Sequence, residues 1–170
     1  SRGREIIPLE QEICHVRSYL DIQKMRYGDR LDYQIRIPEE LKKLYTVKLL
    51  IQPLAESSIY QGIKESDRKG TILITAGEEP GGVYLCVRDD GLGISQETLT
   101  ILNADLKRGV TVSDGGYGIF NVNERIRLYF GRDYGLELRS CTGEWTEAVI
   151  HLPKYIPERT EWDVSDFDRR

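Results

Sequence analysis

The sequence predicts a two-layer α/β sandwich, a mixed sheet covered by helices on one face. Three observations carry this. Segments that alternate apolar and polar residues are interleaved with segments whose apolar residues recur every three to four positions. Two pairs of the alternating segments are joined by short glycine-containing turns, which makes them hairpins. Helical segments lie between the strands, and layers of this kind bury one face of the sheet. The order is helix, strand, helix, strand, strand, helix, helix, strand, strand.

Leu9 to Tyr27 places Leu9, Ile13, Val16 and Leu20 on one helical face, and Gly28 ends it. Leu31, Tyr33, Ile35 and Ile37 alternate as a strand closed by Pro38. Val47, Leu50, Ile51, Leu54 and Ser58 predict a second amphipathic helix reaching Gly62. Ile72, Ile74 and Ala76 form a strand, as do Val83, Leu85 and Val87, with Glu79-Pro80-Gly81-Gly82 as the turn between them. Ser95 is a good N-cap for a short helix to about Leu102. Lys107 to Gly116 reads as a loop, and Ile119, Val122, Ile126 and Phe130 as a further helix stopped by Gly131. Leu136 to Ser140 and Thr146 to Leu152 are two last strands around a Gly143 turn, and the segment from Pro153 reads as a linker.

Composition narrows the function. The 170 residues suit one compact domain, and 39% hydrophobic with 31% charged residues is ordinary for a soluble chain. A net charge of −4 argues against nucleic acid, whose backbone needs a basic face. No apolar run is long enough to cross a bilayer. Cys14, Cys86 and Cys141 are odd in number and too far apart for a metal pair. Cys86 and Cys141 lie in strand patterns, which predicts buried free thiols and a reducing compartment. The chain begins at Ser1 without a signal pattern, as expected of a piece of a longer protein.

The chemistry concentrates in three places. Val83 to Gly93 reads VYLCVRDDGLG, a strand ending in Asp89-Asp90 and opening into Gly91-Leu92-Gly93. A carboxylate there reads hydrogen-bond donors, and the glycines admit a flat ring or a phosphate close to the backbone. A second pair, Gly116-Tyr117-Gly118, comes about 25 residues later at the head of a helix, where free amides favour anions. On the helix Val47–Gly62, Pro53, Ser57, Tyr60, Gln61 and Lys64 fall on a stripe bordering the apolar face, with Glu56 at its edge. That stripe is a solvated helix face or one wall of a pocket closed by the two glycine turns.

LLIQPLAESSIYQGI (49–63), DDGLGI (89–94) and GYGIFNVNERI (116–126) together resemble the N box and two glycine boxes of the GHKL ATPase superfamily. The branch they most resemble is the catalytic ATP-binding domain of LytS/YesM-type sensor histidine kinases, in which the helix reads like QPLVENAIKHG. PLEQEICHVRSYLDIQKMRYGDRL resembles the segment leading into that domain, so the likeness runs from about Pro8 to Pro153. The resemblance implies a Bergerat fold, with residues 1–28 as a leading helix from the dimerisation and phosphoacceptor region, 29–153 as the ATP-binding domain and 154–170 as a tail. It implies ATP and Mg²⁺ as cofactors. It assigns Asp89 to the adenine amine and Gly91, Gly93 and Ile94 to the turn beside the base. Gly116, Tyr117 and Gly118 are assigned to the phosphates, with Asn121 after them; capping or bridging within the helix is an equal reading of Asn121. Glu56 takes the catalytic acidic position, and Ser57, Tyr60 and Gln61 take the family's metal-binding Asn, its Lys and its His. Lys107 and Arg108 fall in the presumed lid loop, as solvated loop charges, the more common outcome, or as contacts to phosphate.

The departures matter. Ser57 offers a hydroxyl to a hard cation where the family has an amide oxygen. Tyr60 removes a positive charge, and Asp90 adds a negative one where Asn is common. Loss of one good phosphate contact costs about 1.5–3 kcal/mol, roughly ten- to a hundred-fold in affinity. Hydrolysing members such as gyrase carry a Glu four residues before the Asn; Pro53 stands there, so the resemblance implies phosphoryl transfer to a protein side chain. Its acceptor would be a His upstream in the parent or its dimer mate, with a response regulator downstream. His15 and His151 lack the acceptor context and read as structural or surface residues. The implied setting is the cytoplasmic side of a membrane-anchored parent, and the other reading is a degenerate domain that signals or dimerises without kinase activity.

Overall fold

A computed structural model describes residues 5–64, 67–111 and 118–157. The chain runs β1 (Ile6–Pro8), α1 (Leu9–Tyr27), β2 (Leu31–Arg36), β3 (Tyr45–Val47), α2 (Ile51–Ser58) with a wide π turn (Ile59–Lys64), β4 (Gly70–Glu79), β5 (Gly82–Asp89), α3 (Gln96–Arg108), α4 (Gly118–Phe130), β6 (Gly135–Cys141) and β7 (Trp145–Leu152). The main sheet has the order β2-β4-β5-β7-β6. Only β2 and β4 pair in parallel, and β1 pairs with β3 in a separate two-stranded ribbon. The expected mixed sheet with helices on one face is the fold observed.

Alternation decides the faces. Ile72, Ile74, Val83, Leu85, Val87, Leu136, Leu138 and Ile150 enter one core with Leu54, Ile63, Leu106 and Ile126 of the helices. α1 buries Leu9, Ile13, Val16 and Leu20 in that same core; each is worth about 1.5–3 kcal/mol of burial. The leading helix thus belongs to the same hydrophobic core as the sheet.

The opposite face carries polar ties. His151 lies between two carboxylates, Nδ1 at 2.6 Å from Glu79 and Nε2 at 2.8 Å from Glu137. Those bonds to Glu79 and Glu137 outweigh desolvation and raise its pKa. Arg88 bonds Glu147 at 2.6 Å and stacks on Trp145. Cys86 is buried, with its thiol pushed up to about 11 by burial. Cys141 is only half-buried, against the expectation, and Cys14 and His15 lie exposed on α1.

Four boundaries differ from the sequence reading. α2 starts at Ile51, because Val47 ends β3 and Leu49 takes a left-handed φ of 61° that interrupts any helix. α3 continues past Leu102 to Arg108, since Leu99, Leu102 and Leu106 keep helical spacing and Gly109 (φ 70°) supplies the stop. Lys107 and Arg108 therefore sit in a helical last turn, with Arg108 paired to Asp105. The ribbon β1–β3 has strands of three residues, too short for a period to register. After β7 the chain does not run free at once. Tyr155 accepts the Tyr45 N–H at 2.7 Å and packs its ring against Phe130.

Candidate functional site

Asp89 ends β5, the middle strand, and pairs in register with Ile72 on one side and Thr146 on the other. It is 7% exposed. Burial pushes its pKa up to about 6, and Asp90 adds to this; the Gly91 N–H, donating to Oδ1 at 3.0 Å, the Ser58 hydroxyl and Arg88 pull the other way. A buried carboxylate held by a hydroxyl and one amide is a strong acceptor awaiting a donor.

The turn after it is steric. A Cβ at position 91 would lie 2.5 Å from Cα of Gly62 in the π turn after α2 and 2.9 Å from Asp89 Oδ1. Gly93 has φ 70°, and a Cβ there would run into the Cys141 carbonyl. The β6–β7 hairpin clasps the turn. Ser140 Oγ accepts the Ile94 N–H at 2.7 Å, Thr142 donates to the Ile94 carbonyl at 3.1 Å, and Gly143 N–H donates to the Leu92 carbonyl at 2.6 Å.

Beside Asp89 lies a narrow, partly open cleft. α2 gives it Leu54, Ser57 and Ser58, and the π turn gives Gln61; β5 gives Val87 and Asp89, and the glycine turn gives Ile94. Leu102, Ile119, Leu138 and Ala148 add apolar lining, and Thr146 a hydroxyl. One charged acceptor in apolar walls suits a flat heterocycle that presents donors at its edge.

The fold thus brings Ser57, Gln61, Asp89 and Ile94 to one cleft, with Gly91 and Gly93 shaping its floor. It keeps others away. Glu56 is exposed and accepts from the Gln52 amide at 3.1 Å, and Asn121 is exposed on α4. Tyr60 is 55% exposed with the Lys64 ammonium 4.9 Å from its ring centre. Gly118 opens α4 against Pro53, 3.4 Å from where its Cβ would stand. Gly116 and Tyr117 lie outside the described residues. Asp90 turns from the cleft to accept the Thr71 N–H at 2.7 Å.

The chemistry of these donors separates two cofactor parts. A purine with an exocyclic amine fits Asp89 and the apolar walls. For a hard cation, Ser57 gives one neutral hydroxyl and Glu56 a carboxylate turned to Gln52. No group of three His, Cys, Asp or Glu among the described residues can hold a metal ion. A cation would need oxygens from its own ligand, as Mg²⁺ at phosphates generally does.

Sequence reasoning missed four residues. Ser58, placed only on the apolar stripe, hydrogen-bonds Asp89. Thr146 reaches the cleft through its register with Asp89, which strand order alone reveals. Asn123, 2% exposed, bonds the Leu106 carbonyl and the Leu136 N–H, both at 2.9 Å, tying α4 to α3 and β6. Glu12, 1% exposed, crosses from α1 to the start of α2. A charged residue on the apolar stripe of a helix was the available signal.

Comparison with known proteins bears on the family and the fold. The family described as "Histidine kinase-, DNA gyrase B-, and HSP90-like ATPase" matches residues 46–156, and a "Histidine kinase" family matches residues 1–31. The sensor histidine kinase YesM of Bacillus subtilis is 34% identical over 150 residues, 88% of this chain and 24% of YesM. The sensor protein LytS of Bacillus anthracis is 30% identical over 157 residues, 92% of this chain and 26% of LytS. The chain spans about a quarter of the length of these curated relatives. Among solved structures, the catalytic domain of histidine kinase ThkA superposes with a TM-score of 0.65 at 14% identity, covering 88% of this chain and 95% of that one. The histidine kinase AdeS of Acinetobacter baumannii gives 0.61 at 15% identity, over 88% of this chain and 66% of that one. At such identity these structures speak for the fold. The chain belongs to the histidine kinase-, DNA gyrase B- and HSP90-like ATPase family, and its curated relatives are sensor histidine kinases of the LytS and YesM type.

Proposed function

We propose that the chain is the ATP-binding catalytic domain of a sensor histidine kinase and donates the γ-phosphate of ATP to a histidine upstream in its parent protein. The observation that carries this is the buried Asp89 carboxylate at the floor of an apolar cleft. In this reading Asp89 accepts from the adenine amine, Gln61 and Ile94 flank the base, and Gly91 and Gly93 let backbone pass it. Gly116, Tyr117 and Gly118 take the phosphates; Gly118 opens α4, and Asn121 lies one turn behind it. Ser57 would hold the cation together with the phosphates, Glu56 keeps the catalytic acidic position, and Mg²⁺ would offset charge on the transferred group. Pro53 holds no proton, so the chain's own groups orient the nucleotide and activate no water. The acceptor histidine, its dimer mate, a response regulator and a cytoplasmic setting belong to this proposal. For the membrane, no helix among the described residues is long and apolar enough to cross one.

One observation favours a second reading, a nucleotide-binding module without transfer. Glu56 and Tyr60 face solvent and are engaged with Gln52 and Lys64, not the cleft. Calorimetric titration with ATP decides. Micromolar binding that tightens with Mg²⁺ supports the kinase; binding indifferent to Mg²⁺ supports the module; no binding at high protein concentration rejects both.

A further inference from the structure

The leading helix α1 reaches the nucleotide-side helix through one buried side chain. Glu12 Oε1 accepts the Leu49 N–H at 2.5 Å, and Oε2 accepts those of Leu50 at 3.1 Å and Ile51 at 3.4 Å. These amides head α2, where unpaired N–H groups and the helix dipole favour a negative charge. α2 has no side-chain cap of its own. Its cap comes from 37 residues earlier in the chain.

The junction is held from two more directions. The Leu49 carbonyl accepts from Arg125 of α4 at 3.2 Å, and Arg125 and Lys48 both reach Glu5, at 3.6 and 3.5 Å. Leu49 itself is 44% exposed and sits at φ 61°, a conformation leucine rarely adopts. Its exposed side chain gains little there, so the fixed partners of its N–H and carbonyl hold the backbone. Glu12 lies in the segment matched by the histidine-kinase family, residues 1–31. Its three amide partners lie in the segment matched by the ATPase family, residues 46–156.

We propose that Glu12 is a positioning residue for the nucleotide cleft: the placement of α1 sets, through this carboxylate, where α2 begins and hence where Ser57, Ser58 and Gln61 stand. Ser57 lies six residues past Ile51, roughly 9 Å along the axis, so a tilt at the first turn is carried to the cleft by a rigid rod. At 1% exposure the carboxylate has no water to exchange for the amides, so the link is made or broken as a unit. Movement of α1 would then alter nucleotide affinity without any residue of α1 lining the cleft. The nucleotide arm of this inference rests on the ATP-binding reading above.

The test compares Glu12→Ala, Glu12→Gln and a control, Val16→Ala, which removes volume from the same buried face of α1. Two quantities are read, ATP affinity by calorimetry and amide hydrogen exchange in nucleotide-free protein. Glu12→Ala should weaken ATP binding about tenfold, within the usual range of site-to-site coupling, and speed exchange from Leu49 through Gly62. Glu12→Gln, with one accepting oxygen in place of two, should fall between. Val16→Ala should lower the melting temperature yet leave affinity within about twofold. The proposal is overturned if Glu12→Ala and Val16→Ala have equal affinities, or if faster exchange stops at Ile51. If wild-type protein binds no ATP, the functional reading fails and exchange across Ser57–Gly62 alone decides the role of Glu12. If Glu12→Ala does not fold, Glu12→Gln against Val16→Ala decides it.

Discussion

The floor of the cleft at Asp89 and its rim at Ser57 are built by different means. The floor is crowded: Asp89 is buried, Gly91 touches Gly62 and Gly93 touches the β6–β7 hairpin, so almost no other residue fits. The rim is open: Glu56 and Tyr60 face water and hold partners that any neighbouring side chain can replace. Where packing fixes a residue, its identity reports the binding chemistry. Where solvent surrounds it, identity drifts at little cost to the fold, and function has to be measured.

The largest effect is expected at the floor. Gly93→Ala forces a Cβ into the Cys141 carbonyl at a left-handed φ, which should cost about 3 kcal/mol or more and lower the melting temperature by roughly 6–12 °C. A melt unchanged within 2 °C would mean the floor has slack and the contrast is wrong.

Next is Asp89→Asn. It should weaken ATP binding by about 1.5–3 kcal/mol, because the amide adds donors facing the adenine amine. It should also stabilise the protein near neutral pH by about 3 kcal/mol, since a desolvated charge disappears. The sign comes from the shift. Folded Asp89 titrates near 6 and the unfolded group near its ordinary 3.8, so the folded chain holds the extra proton between them. Wild-type stability should therefore fall as pH rises from about 4 to about 6, and ATP affinity should rise through the same upper limit as the carboxylate ionises. Asp89→Asn should flatten the stability profile, which melts across pH check directly.

Smaller effects belong to the rim. Ser57→Asn should tighten ATP binding up to about tenfold, in Mg²⁺ only; an unchanged titration removes Ser57 from the cation. Tyr60→Ala should change stability by about 0.5 kcal/mol or less, because its contact with Lys64 is exposed.

Much of the floor was legible in the sequence, because a glycine that backbone requires and a carboxylate ending an apolar strand are local signals. α2 was legible in part. A regular helical wheel puts Ser57, Tyr60, Gln61 and Lys64 on one stripe, but the π turn from Ile59 rotates the residues after it. Ser57 and Gln61 line the cleft, while Tyr60 and Lys64 stack on each other outside it. The length of α3 was misread because Lys107 and Arg108 look like loop residues, although Leu106 and Gly109 mark a helix end. The β1–β3 ribbon had no legible signal, and for Glu12 a charge on an apolar stripe was visible while the amides it caps were not. Both depend on partners about 40 residues away, and one sequence does not carry pairing information of that range.

The hairpin that clasps the Asp89 turn also orders events in time. Its bonds to Ile94 join residues 46 and 48 positions apart. Contacts of such separation form late, because a long loop must close first. During synthesis the turn at Gly91–Gly93 leaves the ribosome well before Ser140 and Thr142, so the newborn chain carries its acceptor carboxylate with nothing clasping the turn. The lining of the cleft is therefore completed only with the last two strands, and a chain truncated before Trp145 has all the glycines of the turn but lacks Thr146 and Ala148.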